Sequence, residues 1–487
     1  MLAKLYHCSH NAKLFDIFVR MTNAFSKDDT IAAIATPAGM GGIAVIRMSG
    51  AKSAEIAGRV FFPTGRENKK VQDLPSRTAC LGVIKNKSGI TDEVLLTIFR
   101  APNSYTGEDV AEISCHGSTY IQKEILRMLL ENGARTAEPG EFTLRAFLNR
   151  RIDLSQAEAV ADLIASSSAS AHRIAIQQMR GGFSEEIKKL RSSLVHFASL
   201  IELELDFSEE DVAFADREQL KKLAAEIMSV TSRLHSSFEL GNVIKTGIPV
   251  VIAGNPNVGK STLLNALLNE ERAITSEIPG TTRDAIEDEL VIGGYLFRLT
   301  DTAGIRETSD SIESIGVSIA FEKISKSSVI LYVFDVTEVT RRELQEAMDE
   351  LIRKSGSPAK IIPVGNKADK VHPDNLRKEF SPFSTAVFLS AKEKQNLEEL
   401  KSKILQVVES GREPGYGHIV SNVRHADALR LAGEAMKRAA EGLENGIPGD
   451  LLASDIRQAM YQLGLISGEI TTDNLLENIF SRFCIGK

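Results

Sequence analysis

The stretch Gly254-Asn-Pro-Asn-Val-Gly-Lys-Ser261 decides the fold of the central part of this chain. It matches the pattern GxxxxGK(S/T), follows the apolar run at 248–253 and opens a segment of helical character. In that context the backbone N–H groups and the helix dipole bind phosphate, Lys260 neutralises the β- and γ-phosphates, and Ser261 coordinates Mg²⁺. A plain strand–turn–helix is the alternative, but it does not explain the adjacent lysine and serine. The sequence therefore predicts a P-loop nucleotide-binding domain.

Two later motifs indicate which base is bound. Asn366-Lys-Ala-Asp369 follows the run IIPVG, and Ser390-Ala-Lys392 follows the next apolar run. The Asp369 carboxylate can accept hydrogen bonds from N1–H and the 2-amino group of guanine, whereas adenine would leave it desolvated and unpaired. The backbone of 390–392 can contact guanine O6. After a P-loop, and in this order, these motifs predict GTP.

Two segments between these motifs have the character of nucleotide-sensing loops. Asp301-Thr-Ala-Gly304 ends a strand, so Asp301 can hold Mg²⁺ through water and the Gly304 N–H can contact the γ-phosphate. The loop Ser276–Asp284 lies between the P-loop and this segment, and Thr282 is its candidate hydroxyl for coordinating Mg²⁺ in the triphosphate state.

The catalytic group is not where Ras-like GTPases carry it. In those proteins a Gln after DTAG orients the attacking water, but Ile305 stands at that position and its alkyl side chain cannot do so. Hydrolysis therefore needs another water-positioning group, for which Glu307 and Glu313 are the nearest downstream carboxylates, and another positive charge. The candidates for that charge are Arg283 and Arg306, which can equally be surface residues, and a monovalent cation held by Asn257 with carbonyls of the switch-like loop.

The pattern on either side of the P-loop predicts an inserted domain. Strands and helices alternate over 248–407, which predicts a mostly parallel sheet wrapped by helices, with Gly293-Gly294 as a hairpin turn. Helical periodicity covers 150–240 and returns after a flexible link at Gly411–Gly417. Five apolar residues share one predicted helix face: Ile187, Leu190, Leu194, Phe197 and Ile201. Because neither half buries its apolar face well alone, we expect the two helical segments to pack together.

The N-terminal region differs from the rest. Residues 30–140 predict an α+β domain, because short β-rich runs alternate with Gly/Pro breaks and one helical stretch at 119–132. Residues 1–27 predict a disordered extension, since their apolar stretch is too broken for a secretory signal and patterned sequence begins after Met21. The acidic run Glu202–Asp211 predicts a solvated helix end and loop.

Composition limits the function classes. The chain has 487 residues, of which 43% are hydrophobic and 25% charged, the composition of a globular protein. It has no apolar run of about 18 residues, so we expect no transmembrane helix. The net charge of −7 excludes a basic field over the whole molecule, so RNA would need a local patch. Four distant cysteines without a CxxC pair argue against a disulfide framework or zinc ribbon and fit a reducing cytosol.

Taken together, the motifs resemble those of the MnmE (TrmE) family of tRNA-modification GTPases. The segments that carry the resemblance are GNPNVGKS, PGTTRD, DTAGIRE, NKAD, the terminal FCIGK, TPAGMGGIAVIRMSG, PNSYTGEDVAEISCHG and PGEFTLRAFLNRRIDLSQAEAV. The resemblance spans about residues 28–487. It implies an N-terminal α+β folate-binding and dimerisation domain (28–144), a helical domain in two halves (145–244 and 411–487, the second ending in the FCIGK tail) and an inserted P-loop G domain (245–410).

The resemblance also implies an activity. Family members hydrolyse GTP and, with the FAD-containing partner MnmG, form 5-(carboxymethyl)aminomethyluridine at the wobble position of certain tRNAs. The one-carbon unit comes from 5-formyltetrahydrofolate or methylenetetrahydrofolate, and GTP hydrolysis depends on K⁺ and on dimerisation of the G domains. We therefore expect a cytoplasmic homodimer, joined through the N-terminal domain, that binds GTP or GDP, Mg²⁺, K⁺, folate, MnmG and tRNA but no membrane.

The resemblance assigns site residues as well. Those for GTP are Gly254, Asn257, Val258, Gly259, Lys260, Ser261, Thr262, Ser276, Thr281, Thr282, Asp301, Thr302, Ala303, Gly304, Asn366, Lys367, Asp369, Ser390, Ala391 and Lys392. Ser261 and Thr282 would coordinate Mg²⁺, and the K⁺ ligands would be Asn257, Ser276, Ile278 and Thr281. Glu313 would orient the water, in preference to Glu307, with Lys260 as the second catalytic group. The folate residues would be Arg47, Glu112, Arg151 and Lys487, and Cys484 is either a redox or nucleophilic residue or a structural thiol.

Three residues depart from the family pattern: Met40 replaces an Arg, Ser118 replaces a Gly, and Arg151 replaces a Lys. The last keeps the charge but changes the geometry of the folate site. The sequence argues against two other functions. An Era-like RNA-binding assembly factor should carry a basic RNA-binding module, which the sequence does not display, and a one-carbon transferase with a vestigial G domain conflicts with the intact GTP motifs.

Overall fold

The computed structural model describes residues 29–65, 70–87, 89–206, 217–271, 288–301, 327–355, 360–409, 419–481 and 483–486. The chain divides into two compact units. The first comprises 1–161, 178–215 and 448–487, and the second comprises 162–177 and 216–447. Within the described ranges, no helix is both long enough and apolar enough to cross a lipid bilayer. The predicted extension at 1–27 and the predicted link at Gly411–Gly417 lie outside the described residues.

The helices and strands of the described residues follow in chain order. The strands are β1 (Thr30–Ile34), β2 (Gly41–Ser49), β3 (Phe61–Pro63), β4 (Thr78–Asn86), β5 (Gly89–Phe99), β6 (Val110–Gly117), β7 (Ala134–Thr136), β8 (Ile248–Ala253), β9 (Asp288–Ile292), β10 (Tyr295–Asp301), β11 (Val329–Asp335), β12 (Lys360–Asn366) and β13 (Val387–Phe388). The helices are α1 (Ser53–Val60), α2 (Thr119–Glu131), α3 (Glu141–Leu148), α4 (Leu154–Ala165), α5 (Ala169–Met179), α6 (Gly182–Asp206), α7 (Arg217–Thr246), α8 (Lys260–Glu271), α9 (Arg341–Ser355), α10 (Pro373–Glu379), α11 (Leu397–Glu409), α12 (Val423–Glu444), α13 (Gly449–Ser467) and α14 (Asp473–Phe480).

The N-terminal region of the first unit is a seven-stranded sheet with two helices on one face. Its strand order is β3-β4-β5-β6-β2-β1-β7, and every neighbouring pair is antiparallel except β1 with β7. Alternate strand residues pack with α1 and α2 into one apolar core that includes Ile46, Ile113 and Leu96. The residues between them lie on the opposite face of the sheet, because side-chain direction alternates along a strand. The predicted α+β domain is therefore confirmed.

Helices complete the first unit. The antiparallel pair α6 and α13 is joined by ion pairs Arg191–Glu469 and Arg457–Glu202, the latter at 3.1 Å. The five apolar residues predicted to share a helix face are all buried on α6. Helices α3, the start of α4 and α14 share a smaller core that includes Leu144, Leu154 and Phe480. A helix from before the inserted region thus packs on one from after it, as the sequence predicts.

The second unit is built on a six-stranded sheet of order β13-β12-β11-β8-β10-β9. Only β9 and β10 are antiparallel, and the remaining neighbours are parallel. Apolar residues cover both faces of this sheet, as a parallel sheet in an α/β domain requires. The predicted hairpin turn is confirmed: Gly293 and Gly294 join β9 to β10 with φ of 57° and 83°, values that glycine adopts without a Cβ penalty.

Helix α5 packs into the core of this second unit. Its Ile174 is 6% exposed and belongs to the apolar cluster that contains Ile248 and Leu290. Near the start of α5, the Ser170 N–H donates to the Gly294 carbonyl of the hairpin turn at 2.9 Å. Elsewhere in the unit α7 packs on α12, and a Cβ on Gly433 of α12 would lie 3.0 Å from Oγ1 of Thr231 on α7. The core around the predicted G domain therefore includes a helix outside 245–410.

Candidate functional site

The loop between β8 and α8 has the geometry of the predicted phosphate-binding loop. Gly254 has φ of 147°, and a Cβ there would lie 2.1 Å from the Val333 oxygen. Gly259 has φ of 96°, and a Cβ there would lie 2.3 Å from Nδ2 of Asn366. Both positions therefore require glycine. Asn257 sits between them, exposed and left-handed with φ of 62°.

Lys260 lies inside this loop. Its side chain is largely buried, and Nζ donates to the carbonyl oxygens of Gly254 at 3.0 Å and Asn255 at 2.8 Å. The ammonium group is thus held where a phosphate that binds the loop would meet it. Ser261 and Thr262 are exposed on the first turn of α8, whereas Val258 is buried.

Asn366 brings the three predicted nucleotide motifs together. It ends β12 and is buried, and its Nδ2 donates to the Val258 carbonyl at 2.8 Å. Its Oδ1 accepts from the Ala391 backbone N–H at 3.0 Å. One side chain therefore fixes the P-loop, the NKAD segment and the SAK segment relative to one another. A buried amide satisfied at both ends is costly to remove, at about 1–3 kcal/mol for each orphaned group.

The segment after Asn366 turns outwards to form the candidate base site. Lys367 is left-handed with φ of 61°, and the Ala368 N–H donates to the Leu389 carbonyl at 3.1 Å. Asp369 is exposed at this turn, so its carboxylate faces solvent. Ser390 is buried and accepts from the Glu393 N–H at 3.3 Å, whereas Lys392 is exposed.

Asp335 is a residue of this site that the sequence analysis missed. It ends β11 in register with Asn366 of β12, and its side chain is 2% exposed. One oxygen accepts from the N–H and hydroxyl of Thr337, and the other pairs with Lys367 Nζ at 2.5 Å. Burial opposes its ionisation, but the hydrogen bonds from Lys367 and Thr337 outweigh burial and hold the Asp335 pKa below its usual range. Its only signal in the sequence is an acid at the end of an apolar strand.

Several predicted residues lie outside the described part of the chain. They are Ser276, Ile278, Thr281, Thr282, Arg283, Thr302, Ala303, Gly304, Ile305, Arg306, Glu307, Glu313 and Lys487. Asp301 is the last residue of β10 and is in register with Ile252, two residues before Gly254. The chain therefore leaves β10 at the edge of the sheet that carries the P-loop.

A second group of predicted residues meets in the N-terminal domain. Arg47 on β2 and Glu112 on β6 are cross-strand partners joined by an ion pair of 2.8 Å. The Arg47 guanidinium also lies 5.3 Å from the centre of the Tyr105 ring and 5.8 Å from that of Phe142. Tyr105 Oη and Thr143 Oγ1 are 2.8 Å apart, and burial raises the Tyr105 pKa. Sequence analysis had no signal for the two aromatic residues.

Arg151 and the C-terminal tail lie close to this cluster. A Cβ on Gly107, two residues after Tyr105, would lie 3.1 Å from Cγ of Arg151. In the tail, a Cβ on Gly486 would lie 2.4 Å from the oxygen of Ile34, whose neighbour Ala33 pairs with Arg47. Gly486, the residue before Lys487, therefore contacts β1, the strand that pairs with β2 at Arg47. Cys484 in the same tail is exposed.

Comparisons with known proteins agree with this arrangement. A model described as GTP-binding protein TrmE N-terminus matches residues 30–151, and the MnmE helical domain model matches 154–484. The tRNA modification GTPase MnmE of Cytophaga hutchinsonii is 52% identical over 466 residues, which are 96% of this chain and 99% of that protein. The protein of the same name from Flavobacterium psychrophilum is 54% identical over 94% of this chain and 99% of its own length.

Among solved structures, Aquifex aeolicus Era bound to GDP·AlF4⁻ is 31% identical and covers 39% of this chain and 66% of its own, with a TM-score of 0.26. The family assignment rests on the sequence relatives instead. One family model spans more than half of the chain, and relatives above half identity cover nearly all of it. The chain therefore belongs to the MnmE family of tRNA modification GTPases.

Proposed function

We propose that this GTP hydrolase works with the FAD-containing protein MnmG in the cytoplasm to build 5-(carboxymethyl)aminomethyluridine at the tRNA wobble position. The one-carbon unit would come from 5-formyltetrahydrofolate or methylenetetrahydrofolate. The observation that carries the proposal is the Asn366 side chain, which joins the phosphate loop to both base motifs in one site. Family membership supports the link to tRNA.

The described geometry supports the proposed GTP site. The phosphates would bind the backbone N–H groups at 254–259 with Lys260, and Asp369 would accept from guanine. The main chain of 390–392 lies next to this turn through the Ala391–Asn366 hydrogen bond, so it would contact guanine O6. The remaining proposed contacts, at Thr302, Ala303 and Gly304, continue the chain directly from β10.

The metal ligands fit the chemistry of the loop. Ser261 presents a hydroxyl at the start of α8, and Thr282 would supply a second one to Mg²⁺. Asn257 is exposed and would offer its side-chain oxygen to K⁺ together with Ser276, Ile278 and Thr281. When bound, K⁺ would supply the positive charge that an arginine supplies in other GTPases, in addition to the charge of Mg²⁺.

Glu313 is the proposed water-orienting residue, and the proposed site hydrolyses GTP without an arginine supplied by another protein. The K⁺ assignment is tested by hydrolysis rates in K⁺ and in Na⁺ at equal ionic strength. We expect GTP hydrolysis to be much faster in K⁺ than in Na⁺. Equal rates in the two salts would refute the proposed K⁺ site at Asn257.

Folate is the proposed ligand of the N-terminal cluster. Arg47 and Arg151 carry the charge that pairs with folate carboxylates, and Glu112 can accept from the N–H groups of a pterin. The Tyr105 and Phe142 rings beside Arg47 would pack against a flat heterocycle. Lys487 would complete the cluster, since its neighbour Gly486 contacts β1.

The folate assignment is tested by calorimetric titration of the full chain with 5-formyltetrahydrofolate. We expect saturable binding that Arg47→Ala abolishes. Arg59→Ala is the matched control, because Arg59 is an exposed arginine of the same domain paired with Glu55. Equal binding by wild type and Arg47→Ala would overturn the assignment.

The homodimer is proposed to form through the N-terminal sheet. Its outer face exposes apolar side chains, with Ile43 72%, Leu81 48%, Leu95 45% and Phe62 45% exposed, and such a patch typically marks an interface. Leu81→Asp should shift the mass measured by light scattering from dimer to monomer. Leu451→Asp, at an exposed leucine of α13, should leave it unchanged. A dimer that tolerates Leu81→Asp would contradict this surface.

The complete proposal is tested by reconstitution. The full chain, MnmG, undermodified tRNA, reduced folate and GTP are incubated, and the tRNA nucleosides are analysed by mass spectrometry. We expect the modified uridine only when every component is present. GTP turnover without any modified uridine would refute the role in wobble modification while leaving the GTPase assignment intact.

A further inference from the structure

We propose that Asp335 is a positioning residue of the nucleotide site, which sets the direction of the Lys367 side chain for binding guanine nucleotides. The inference rests on the proposed guanine site, because Lys367 belongs to its NKAD segment. It adds a residue from β11, a strand to which none of the predicted GTP contacts belongs.

The two carboxylate oxygens of Asp335 bind different residues. Oδ1 accepts from the Thr337 N–H at 2.9 Å and from its hydroxyl at 2.7 Å, so the carboxylate is anchored by its own turn. Oδ2 is 2.5 Å from Lys367 Nζ. The carboxylate is therefore held by its own turn independently of the lysine, so it can set the direction of the Lys367 side chain.

Burial makes this pairing strong and asymmetric. The Asp335 side chain is 2% exposed, whereas that of Lys367 is 30% exposed. Breaking a buried ion pair leaves an uncompensated charge. Rotation of Lys367 away from Asp335 would therefore cost free energy. The hydrogen bond that Lys367 donates to Asp335 also raises the Lys367 pKa, with a smaller contribution from the charge of Glu338.

The backbone around Lys367 makes its direction matter for the ligand. Lys367 is held left-handed, a conformation that a residue with a Cβ adopts only where its surroundings demand it. It stands between Asn366, which is fixed to the P-loop, and Asp369, which is the proposed guanine acceptor. The ion pair with Asp335 restricts the rotamers of the Lys367 side chain at this turn.

A preorganised lysine would raise affinity because its rotamers are restricted before the ligand arrives. A merely structural pair would instead change the stability of the fold and leave nucleotide affinity alone. These two roles separate in a double-mutant cycle, which isolates the coupling between two residues.

The experiment measures binding of a fluorescent guanine nucleotide, mant-GDP, by the full chain and by Asp335→Asn, Lys367→Met and the double variant. Asp335→Asn keeps an oxygen for Thr337 but loses the charge that holds the lysine. We expect about tenfold weaker binding from Asp335→Asn, in the range of a charged hydrogen bond. On the Lys367→Met background the same change should have almost no further effect.

The matched control is Glu338→Gln, which removes an exposed acid in the same turn that influences Lys367 only through its charge. It should change mant-GDP affinity less than about twofold, as expected for an exposed charge. The proposal would be overturned if Asp335→Asn weakened mant-GDP binding equally in the wild-type and Lys367→Met backgrounds, or did not weaken it at all. Thermal melting without nucleotide shows whether each variant is folded. Failure of the wild-type chain to bind mant-GDP would instead refute the guanine site itself.

Discussion

The side-chain amide of Asn366 donates to the backbone carbonyl of Val258 at 2.8 Å. This single bond joins the end of β12 to the phosphate loop, although the two residues are 108 positions apart in the chain. The base-recognition turn and the phosphate loop therefore form a single structural unit, and a change in one should alter binding at the other.

Gly259→Ala should abolish tight nucleotide binding. The new Cβ would lie 2.3 Å from Nδ2 of Asn366, and φ of 96° strains any residue other than glycine. We expect about a hundredfold weaker mant-GDP binding, or about 3 kcal/mol. The control is Gly42→Ala, where no atom lies within 4 Å of the added Cβ. Unchanged affinity in Gly259→Ala would contradict the phosphate-loop geometry.

Asp369→Asn should change the base preference. An asparagine amide can donate to the 2-oxo group of xanthine but no longer accepts twice from guanine. We expect GTP affinity to fall by about tenfold to a hundredfold, the loss of a charged hydrogen bond, and XTP to compete better than GTP. Competition against mant-GDP measures both. Retention of full GTP affinity would remove Asp369 from the base site.

Glu313→Ala should slow hydrolysis without weakening GDP binding. A group that orients the attacking water acts in the transition state, so its loss is expected to reduce the rate by about 10²–10³. Phosphate release under saturating GTP and K⁺ measures the rate, and Glu307→Ala is the matched control. If the control loses as much activity as Glu313→Ala, or more, the assignment of Glu313 is wrong.

The cysteines should differ in reactivity. Burial and the nearby Asp92 raise the pKa of Cys115 to about 11, so at pH 8 only about one part in a thousand is thiolate. Cys484 is exposed, whereas Cys80 and Cys115 are buried. Iodoacetamide at pH 8 should therefore label Cys484 and spare Cys115 in the native chain, and peptide mapping by mass spectrometry would show it. Rapid labelling of Cys115 would show that its strand opens.

Ile174→Ala should destabilise the nucleotide-binding unit although Ile174 lies outside 245–410. Its side chain is buried in that core, and truncation of a buried isoleucine costs about 2–5 kcal/mol. Ile164→Ala is the control, because Ile164 is 50% exposed. Release of mant-GDP during urea unfolding should occur at lower urea in the first variant only. Equal midpoints for the two variants would show that α5 does not support this core.

Local signals made much of the fold predictable. The P-loop, the Gly293-Gly294 turn and the apolar face of α6 depend on residues close together in sequence, and the structure has each of them. The helix predicted at 119–132 ends at Glu131, one residue earlier than predicted. The apolar run that precedes Ser390-Ala-Lys392 forms a strand of only two residues, Val387–Phe388.

Some helices and strands of the N-terminal domain leave little signal in the sequence, for physical reasons. Strand β4 contains Gly82, a residue that weakens a strand pattern, yet a Cβ there would lie 2.4 Å from the Phe61 ring. Helix α1 contains Gly58 and has only 8 residues, too few for a clear period. Strands β3 and β7 have 3 residues each. Asp335 and Tyr105 become functional candidates only through partners that are distant in sequence, so no local pattern could have identified them.

The bond from Ser170 to the turn at Gly294 has a mechanical consequence. In the sequence, the hairpin β9–β10 lies between the two loops proposed to respond to the γ-phosphate, and the turn at its tip is hydrogen-bonded to α5. Any shift of the hairpin along its neighbour β8 would strain this hydrogen bond and displace the start of α5. A displacement of the hairpin would therefore act on a helix that lies outside the predicted G domain at 245–410.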